Sequence, residues 1–211
     1  RQMVVGFGER GLREFLRIYY ASVRMLDDQV GRILTALEET GRLDHTAVLF
    51  TADHGDMVGG HGMAWKSNGS FYDEIVLVPL LIRYPPLFRP QNCDLETGLI
   101  DLMPTLLDIA DQPCPAASQG QSLVPFLTGM KPASEARPFS FSGRVPSNPD
   151  NTRQRGARPG ASFMVRGQGW KYIRYSNGSQ VLYDLQHDPG ETVNRIDDEA
   201  CAERAKTMAA A

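Results

Sequence analysis

Ala47 to Phe50, introduced by Asp44, His45 and Thr46, is a short apolar run that reads as a strand and empties into a polar loop. That loop carries Asp53, His54 and Asp56 among Gly55, Gly59, Gly60 and Gly62. No other feature constrains the fold as tightly. A continuous apolar, β-branched segment without alternation suits a strand buried on both faces of a parallel sheet, with helices over each side. In such α/β sheets ligands gather beyond the carboxyl ends of the strands, which is where Asp53, His54 and Asp56 emerge. The glycines permit positive φ and close backbone approach, so the loop can wrap a small charged group while His61 and Lys66 turn inward.

Adjacent Asp53 and His54 at a strand end make a candidate pair of metal ligands, because carboxylate oxygen and neutral imidazole both bind divalent ions. The dipeptide alone is equally compatible with a solvated turn in which Asp53 caps the next segment and His54 is a surface residue. Only the surrounding pattern decides between them.

Elsewhere the hydrophobic pattern is regular. Leu12 to Thr40 reads as one amphipathic helix, with Phe15, Ile18, Tyr19, Val23, Leu26, Val30, Ile33, Leu34 and Leu37 as the apolar stripe and Gly41 as its end. Arg24, Asp27, Asp28, Arg32, Glu38 and Glu39 form its solvated face, with Asp27 worth following for another role. Ile75 to Tyr84 reads as a second buried strand in which Pro79 implies an edge or bulge. Asp94 to Ala110 contains a helix that tolerates Pro104 only near its first turn. From Arg137 onward the chain turns to short strands at Pro138 to Ser142, Ser162 to Arg166, Lys171 to Tyr175 and Gln180 to Leu185. The last two flank the hairpin signal Asn177-Gly178, and a helix from Glu199 closes the chain. The expected class is therefore α/β: part of a mixed, mainly parallel sheet flanked by helices in 1–136, then a small antiparallel sheet and terminal helix in 137–211. Gly143 to Gly160 carries Arg144, Arg153, Arg155 and Arg158 and reads as a loop, either a solvated excursion or a rim that meets an anionic substrate. Trp65, Phe71 and Tyr72 read as packing.

Composition narrows the function classes. At 42% hydrophobic and 22% charged over 211 residues the chain is ordinary globular material. A net charge of −3 argues against a general nucleic-acid surface. The longest apolar run, Ile75 to Ile82, is far shorter than the roughly 20 residues of a membrane-crossing helix. Three separated cysteines, Cys93, Cys114 and Cys201, make neither a disulfide framework nor a metal motif. Compartment stays open between cytoplasm and periplasm or exterior, and oligomeric state is equally open.

From Tyr20 onward the chain resembles the sulfatases of the alkaline phosphatase superfamily. The resemblance rests on Tyr20 to Gly31, Thr51 to Asp56, Gly60-His61-Gly62 with Lys66, and Val78-Pro79-Leu80. It continues through Asp101 to Thr105, Gly120-Gln121-Ser122-Leu123, Trp170-Lys171-Tyr172, Leu182 to Leu185, Asp188-Pro189 and Glu191, all in family order. It implies that Asp53 and His54 hold a divalent metal, calcium first, with manganese, magnesium and zinc as alternatives. It further implies that Lys66 contacts the sulfate and the leaving oxygen, while His61 either donates a proton toward the leaving group or braces the loop. Asp56 is expected to brace the loop rather than bind metal.

Family members also carry a Cys-x-Pro-x-Arg segment, whose cysteine becomes a formylglycine nucleophile, and an early pair of aspartates; neither is present here. Cys114-Pro115 is followed by Ala116, Ala117 and Ser118, which do not complete that segment. The resemblance thus implies the C-terminal portion of a longer enzyme, 1–136 being part of its catalytic domain, that acts on a small sulfate ester together with the N-terminal half of the same protein. Alone, this portion is expected to be inactive. A phosphonate monoester hydrolase or phosphodiesterase of the same superfamily is the alternative enzyme; a noncatalytic truncated member is the alternative outside catalysis.

Overall fold

In a computed structural model the described residues are 8–66, 70–144 and 161–211. The chain forms two compact units, Arg1–Pro90 and Gln91–Ala211.

The first unit opens with helix α1, Gly8–Glu39, whose sequence has the expected amphipathic period. Its cover is incomplete. Leu12, Phe15, Leu16, Tyr19, Val30, Leu34 and Leu37 are half-buried, whereas Ile18, Val23, Leu26 and Ile33 of the same expected stripe are exposed, and no residue of the helix is fully buried. Asp27 lies on the solvated side within 3.9 Å of Arg24, as an exposed helix-surface charge.

Strand β1, Val48–Thr51, follows, then a single helical turn α2, Asp73–Val76, and strand β2, Leu80–Arg83. β1 and β2 pair antiparallel, Val48 opposite Arg83 and Thr51 opposite Leu80. Arg83 fixes this register by donating to Leu43 O at 2.7 Å and to Asp44 Oδ1 at 2.6 Å. Two expectations change. The parallel neighbours foreseen for β1 are not found among the described residues, and Phe50 is exposed rather than buried on a covered face. The apolar run from Ile75 is not one strand either. Asp73 and Glu74 favour a helix start, where carboxylates meet the positive end of the helix dipole, and Pro79 lacks an N–H and forces the preceding residue to extend, so the strand begins only at Leu80.

In the second unit, helix α3, Leu102–Ile109, starts from a tight turn at Leu99–Asp101 and holds Pro104 at its third position, where no intrahelical N–H is needed. A further turn, α4, covers Val124–Leu127. Asp101 is wholly buried and organises the region. Its Oδ2 accepts from Gly98 N at 2.9 Å and Arg137 Nη2 at 2.7 Å, and its Oδ1 accepts from Gln121 N at 2.9 Å. Thr105 Oγ1 donates to Asp101 O and accepts from Leu123 N, so two sequence landmarks separated by a loop are one hydrogen-bonded unit. Gly120 is required there, since a Cβ would stand 2.1 Å from Ile100 O.

Strands β3 (Ser140–Arg144), β4 (Ser162–Gly167), β5 (Trp170–Arg174) and β6 (Gln180–Asp184) form the expected antiparallel sheet in sequence order. Val165, Tyr172 and Leu182 align across it and pack on Cys201 and on Met208 of the terminal helix α5, Ala202–Ala210, making the core of this unit. The β5–β6 turn uses Gly178 at φ 86°, as the Asn-Gly signal predicts. Lys171 of β5, fully buried, pairs with buried Glu191 at 2.6 Å and so ties the Asp188-Pro189 loop to the sheet. Cys93 and Cys114 are exposed free thiols and Cys201 is a buried one. Arg144 is exposed at the end of β3, while Arg153, Arg155 and Arg158 lie outside the described residues.

Candidate active site

The loop leaving β1 is shaped by its glycines and by α2. Gly55 donates its N–H to Ile75 O at 2.8 Å, and a Cβ on Gly55 would lie 1.9 Å from Glu74 O. The backbone of α2 is thereby pressed against the end of β1, immediately after Asp53 and His54. From Val58 to Gly62 the chain visits the left-handed region repeatedly: Val58 at φ 46°, Gly59 at 102°, His61 at 49° and Gly62 at 71°. For β-branched Val58 and for His61 this costs on the order of 1–3 kcal/mol each, a strain that persists only where neighbouring structure over-determines the backbone. Short bonds supply that constraint, among them Gly60 N to Met57 O at 2.7 Å and Gly59 N to Met63 O at 2.8 Å. Leu12 of α1 packs over Gly59, and Phe15 meets the ring of Trp65 edge-on with centroids 5.0 Å apart.

Three of the four sequence-predicted site residues are brought together. Asp53 accepts from His54 N through Oδ1 at 3.0 Å, and its Oδ2 lies 3.7 Å from His54 Nε2. His54 Nδ1 is 2.8 Å from Gly55 O, and Nε2 is 2.7 Å from Lys66 Nζ. A carbonyl oxygen has no proton and an ammonium has no lone pair, so Nδ1 must donate and Nε2 must accept. The imidazole is thus held in the tautomer that presents a lone pair at Nε2, with its outer hydrogen bond to a backbone carbonyl, the arrangement typical of a metal-binding histidine.

A divalent cation fits this donor set. One carboxylate oxygen and one imidazole lone pair 3.7 Å apart can share an ion bound at about 2.0–2.5 Å from each. Among the described residues no third His, Cys, Asp or Glu joins them.

The fourth predicted residue, His61, is held elsewhere on the loop. Its ring stacks on Tyr72 at 3.6 Å between centroids and 12° between planes, and its Nε2 is 4.0 Å from Glu74 Oε1. Tyr72, expected as packing, and Glu74 are its neighbours here, and the period of neither strand nor helix flags a side chain that acts across a loop. Asp56, expected to brace the loop, has a buried Oδ1 with no hydrogen-bond partner among the described residues.

Comparison with known proteins identifies the family of the chain. The Sulfatase family model matches residues 3–112, and the model described as N-sulphoglucosamine sulphohydrolase, C-terminal, matches 59–211. The chain is 35% identical over 192 residues to Arylsulfatase K of Xenopus laevis, a match covering 89% of this chain and 35% of that protein. A solved 2-O GAG sulfatase superposes with a TM-score of 0.84 at 29% identity, over 97% of this chain and 43% of the other. The phosphonate monoester hydrolase of Agrobacterium radiobacter does so with 0.82 at 29% identity, over 97% and 41%. The chain therefore spans between a third and a half of the length of these relatives. With two family models together spanning residues 3–211, the chain belongs to the sulfatase family.

Proposed function

We propose that the intact protein to which this chain belongs hydrolyses sulfuric esters, and that Asp53, His54, Lys66 and His61 are this chain's share of the catalytic machinery. The observation that carries the reading is the fixed tautomer of His54: Nδ1 is committed to Gly55 O, so Nε2 faces the same space as Asp53 Oδ2, with the Lys66 ammonium beside it.

Asp53 and His54 Nε2 would hold the divalent cation, calcium by preference for oxygen-rich sites, with manganese, magnesium or zinc compatible with the imidazole. When bound, that cation supplies neutralisation of charge on the sulfate oxygens, while the family's formylglycine, implied outside this chain, supplies the nucleophile. One lone pair takes one partner. With a cation held there, Lys66 would turn its ammonium to the sulfate and the leaving oxygen, where a fixed positive charge would stabilise the charge that develops as the ester bond breaks. His61 would give a proton to that oxygen.

Part of the relatives' fold lies outside the residues matched here, and the exposed apolar side chains Ile18, Val23, Leu26 and Ile33 of α1 are the surface that such a remainder would cover. The likeness to a phosphonate monoester hydrolase supports a second reading, hydrolysis of phosphonate esters by the same residues.

Turnover of 4-nitrophenyl sulfate and of a matching aryl phosphonate by the intact protein, with metal content measured on the same sample, separates the two. Preference for the sulfate with bound divalent metal is expected. Preference for the phosphonate would move the protein to the second reading.

A further inference from the structure

We propose that Tyr72 and Glu74 are positioning residues for His61, holding its imidazole so that a ring nitrogen can give a proton to the leaving-group oxygen. The inference rests on the reading that His61 acts in ester cleavage, and it adds the device that makes such action possible.

The geometry has three parts. The first is orientation. A ring stack of 3.6 Å at 12° fixes the plane of the imidazole against the face of Tyr72 and leaves both nitrogens at the ring edge, off the stacked face. Among the described residues neither nitrogen is engaged in a hydrogen bond, so the proton is not committed elsewhere. The second is charge. Glu74 Oε1 lies 4.0 Å from His61 Nε2, beyond hydrogen-bond length, so a carboxylate charge faces that edge of the ring without taking its proton. This carboxylate is itself placed by the loop: a Cβ on Gly60 would come within 2.7 Å of Oε1, so only glycine lets Glu74 lie there. The third is connection. Tyr72 caps α2 and Glu74 is its second residue, and the same helical turn clamps Gly55 next to Asp53 and His54. One short element thus sets both the strand end and the orientation of His61. The strained φ of 49° at His61 is the backbone counterpart of this placement.

The chemical step balances simply. As an oxygen nucleophile forms its bond to sulfur, the bond from sulfur to the leaving oxygen breaks. That oxygen keeps the electron pair and takes the proton from His61, which becomes neutral.

Such assistance matters more for a poor leaving group than for a good one, and that distinguishes positioning from mere packing. In the intact protein, Glu74→Gln is expected to lower kcat on phenyl sulfate about ten-fold more than on 4-nitrophenyl sulfate, with KM little changed. Glu74→Asp should recover part of the loss. His61→Gln should show the same bias more strongly, and adding Glu74→Gln to it should cost little more. Equal losses on both esters, or no loss, would overturn the proposal. If the unmodified protein turns over neither ester, the sulfatase reading has failed and the positioning is judged by imidazole nitrogen resonances instead. A single His61 ring environment that is lost in Tyr72→Leu upholds it, and unchanged resonances in that variant sink it.

Discussion

His54 shows how much one side chain can decide. Its two nitrogens differ only in their partners, Gly55 O on one side and Lys66 Nζ on the other, yet those partners fix which lone pair is offered and to what space. Asp53 and Lys66 then predict different losses although they flank the same imidazole. Asp53→Ala in the intact protein should remove most bound metal and lower turnover by roughly 10²–10³-fold, the cost usual for losing one preorganised electrostatic group. Lys66→Ala should lower kcat on a similar scale with metal content retained, because it removes a charge beside the sulfate and frees Nε2 of a competing donor. Metal analysis and steady-state rates on the two variants check this. Metal loss in Lys66→Ala would place the lysine among the groups that build the cation site. Asp53 and His54 stand out in the sequence as a candidate ligand pair by residue type, and the family resemblance adds Lys66 and His61 as candidates. Tyr72 and Glu74 do not stand out, since their significance lies in where α2 points them.

Elements place these residues, and α2 does more of this than its one turn suggests. Its second half, Ile75-Val76, has the sequence character of a strand start, because Ile75 to Ile82 is a long apolar run. Pro79 and the acidic pair Asp73-Glu74 divide that run into a helical turn and a strand. The turn approaches Gly55 so closely that any side chain there is excluded. Gly55→Ala is therefore expected to push the strand end away from α2, costing about 1–3 kcal/mol of stability for the forced backbone shift. Turnover should fall by roughly 10²-fold, since displacing a site by about 1 Å costs that much. Urea unfolding midpoints and kcat on an aryl sulfate measure both. Wild-type behaviour in the two assays would mean that the loop relaxes without moving Asp53 and His54. In the second unit the existence and order of β3 to β6 and the Asn177-Gly178 turn follow from alternation and turn chemistry, which are local signals, while β3 starts two residues later than its pattern predicts. The buried Lys171–Glu191 pair was invisible beforehand, because a charged residue in a strand reads as solvent-facing until something covers it.

At the scale of the whole molecule, α1 poses the sharpest question. Its stripe has the period of a core helix, yet Leu26 and Ile33 are exposed over more than half their surface, at 54% and 60%. If the remainder of a sulfatase fold covers that face, Leu26→Asp in the intact protein should cost at least about 2 kcal/mol, the burial energy of one leucine side chain. A change within about 0.5 kcal/mol, as for an ordinary surface site, would show that the stripe faces water. By itself the sequence determined the α/β class, the amphipathic course of α1, the antiparallel strands with their Asn-Gly turn, and the candidate ligand pair Asp53-His54 that follows β1. These are read from periodicity, turn preference and functional-group chemistry, which act over a few neighbouring residues. Only the tertiary structure decided that β1 pairs antiparallel with β2, that Asp101 joins two distant landmarks, that the stripe of α1 is partly uncovered, and that Tyr72 and Glu74 hold His61. Each of those depends on which surfaces meet across long stretches of chain, and a local pattern fixes what a segment can bury without fixing what will lie against it.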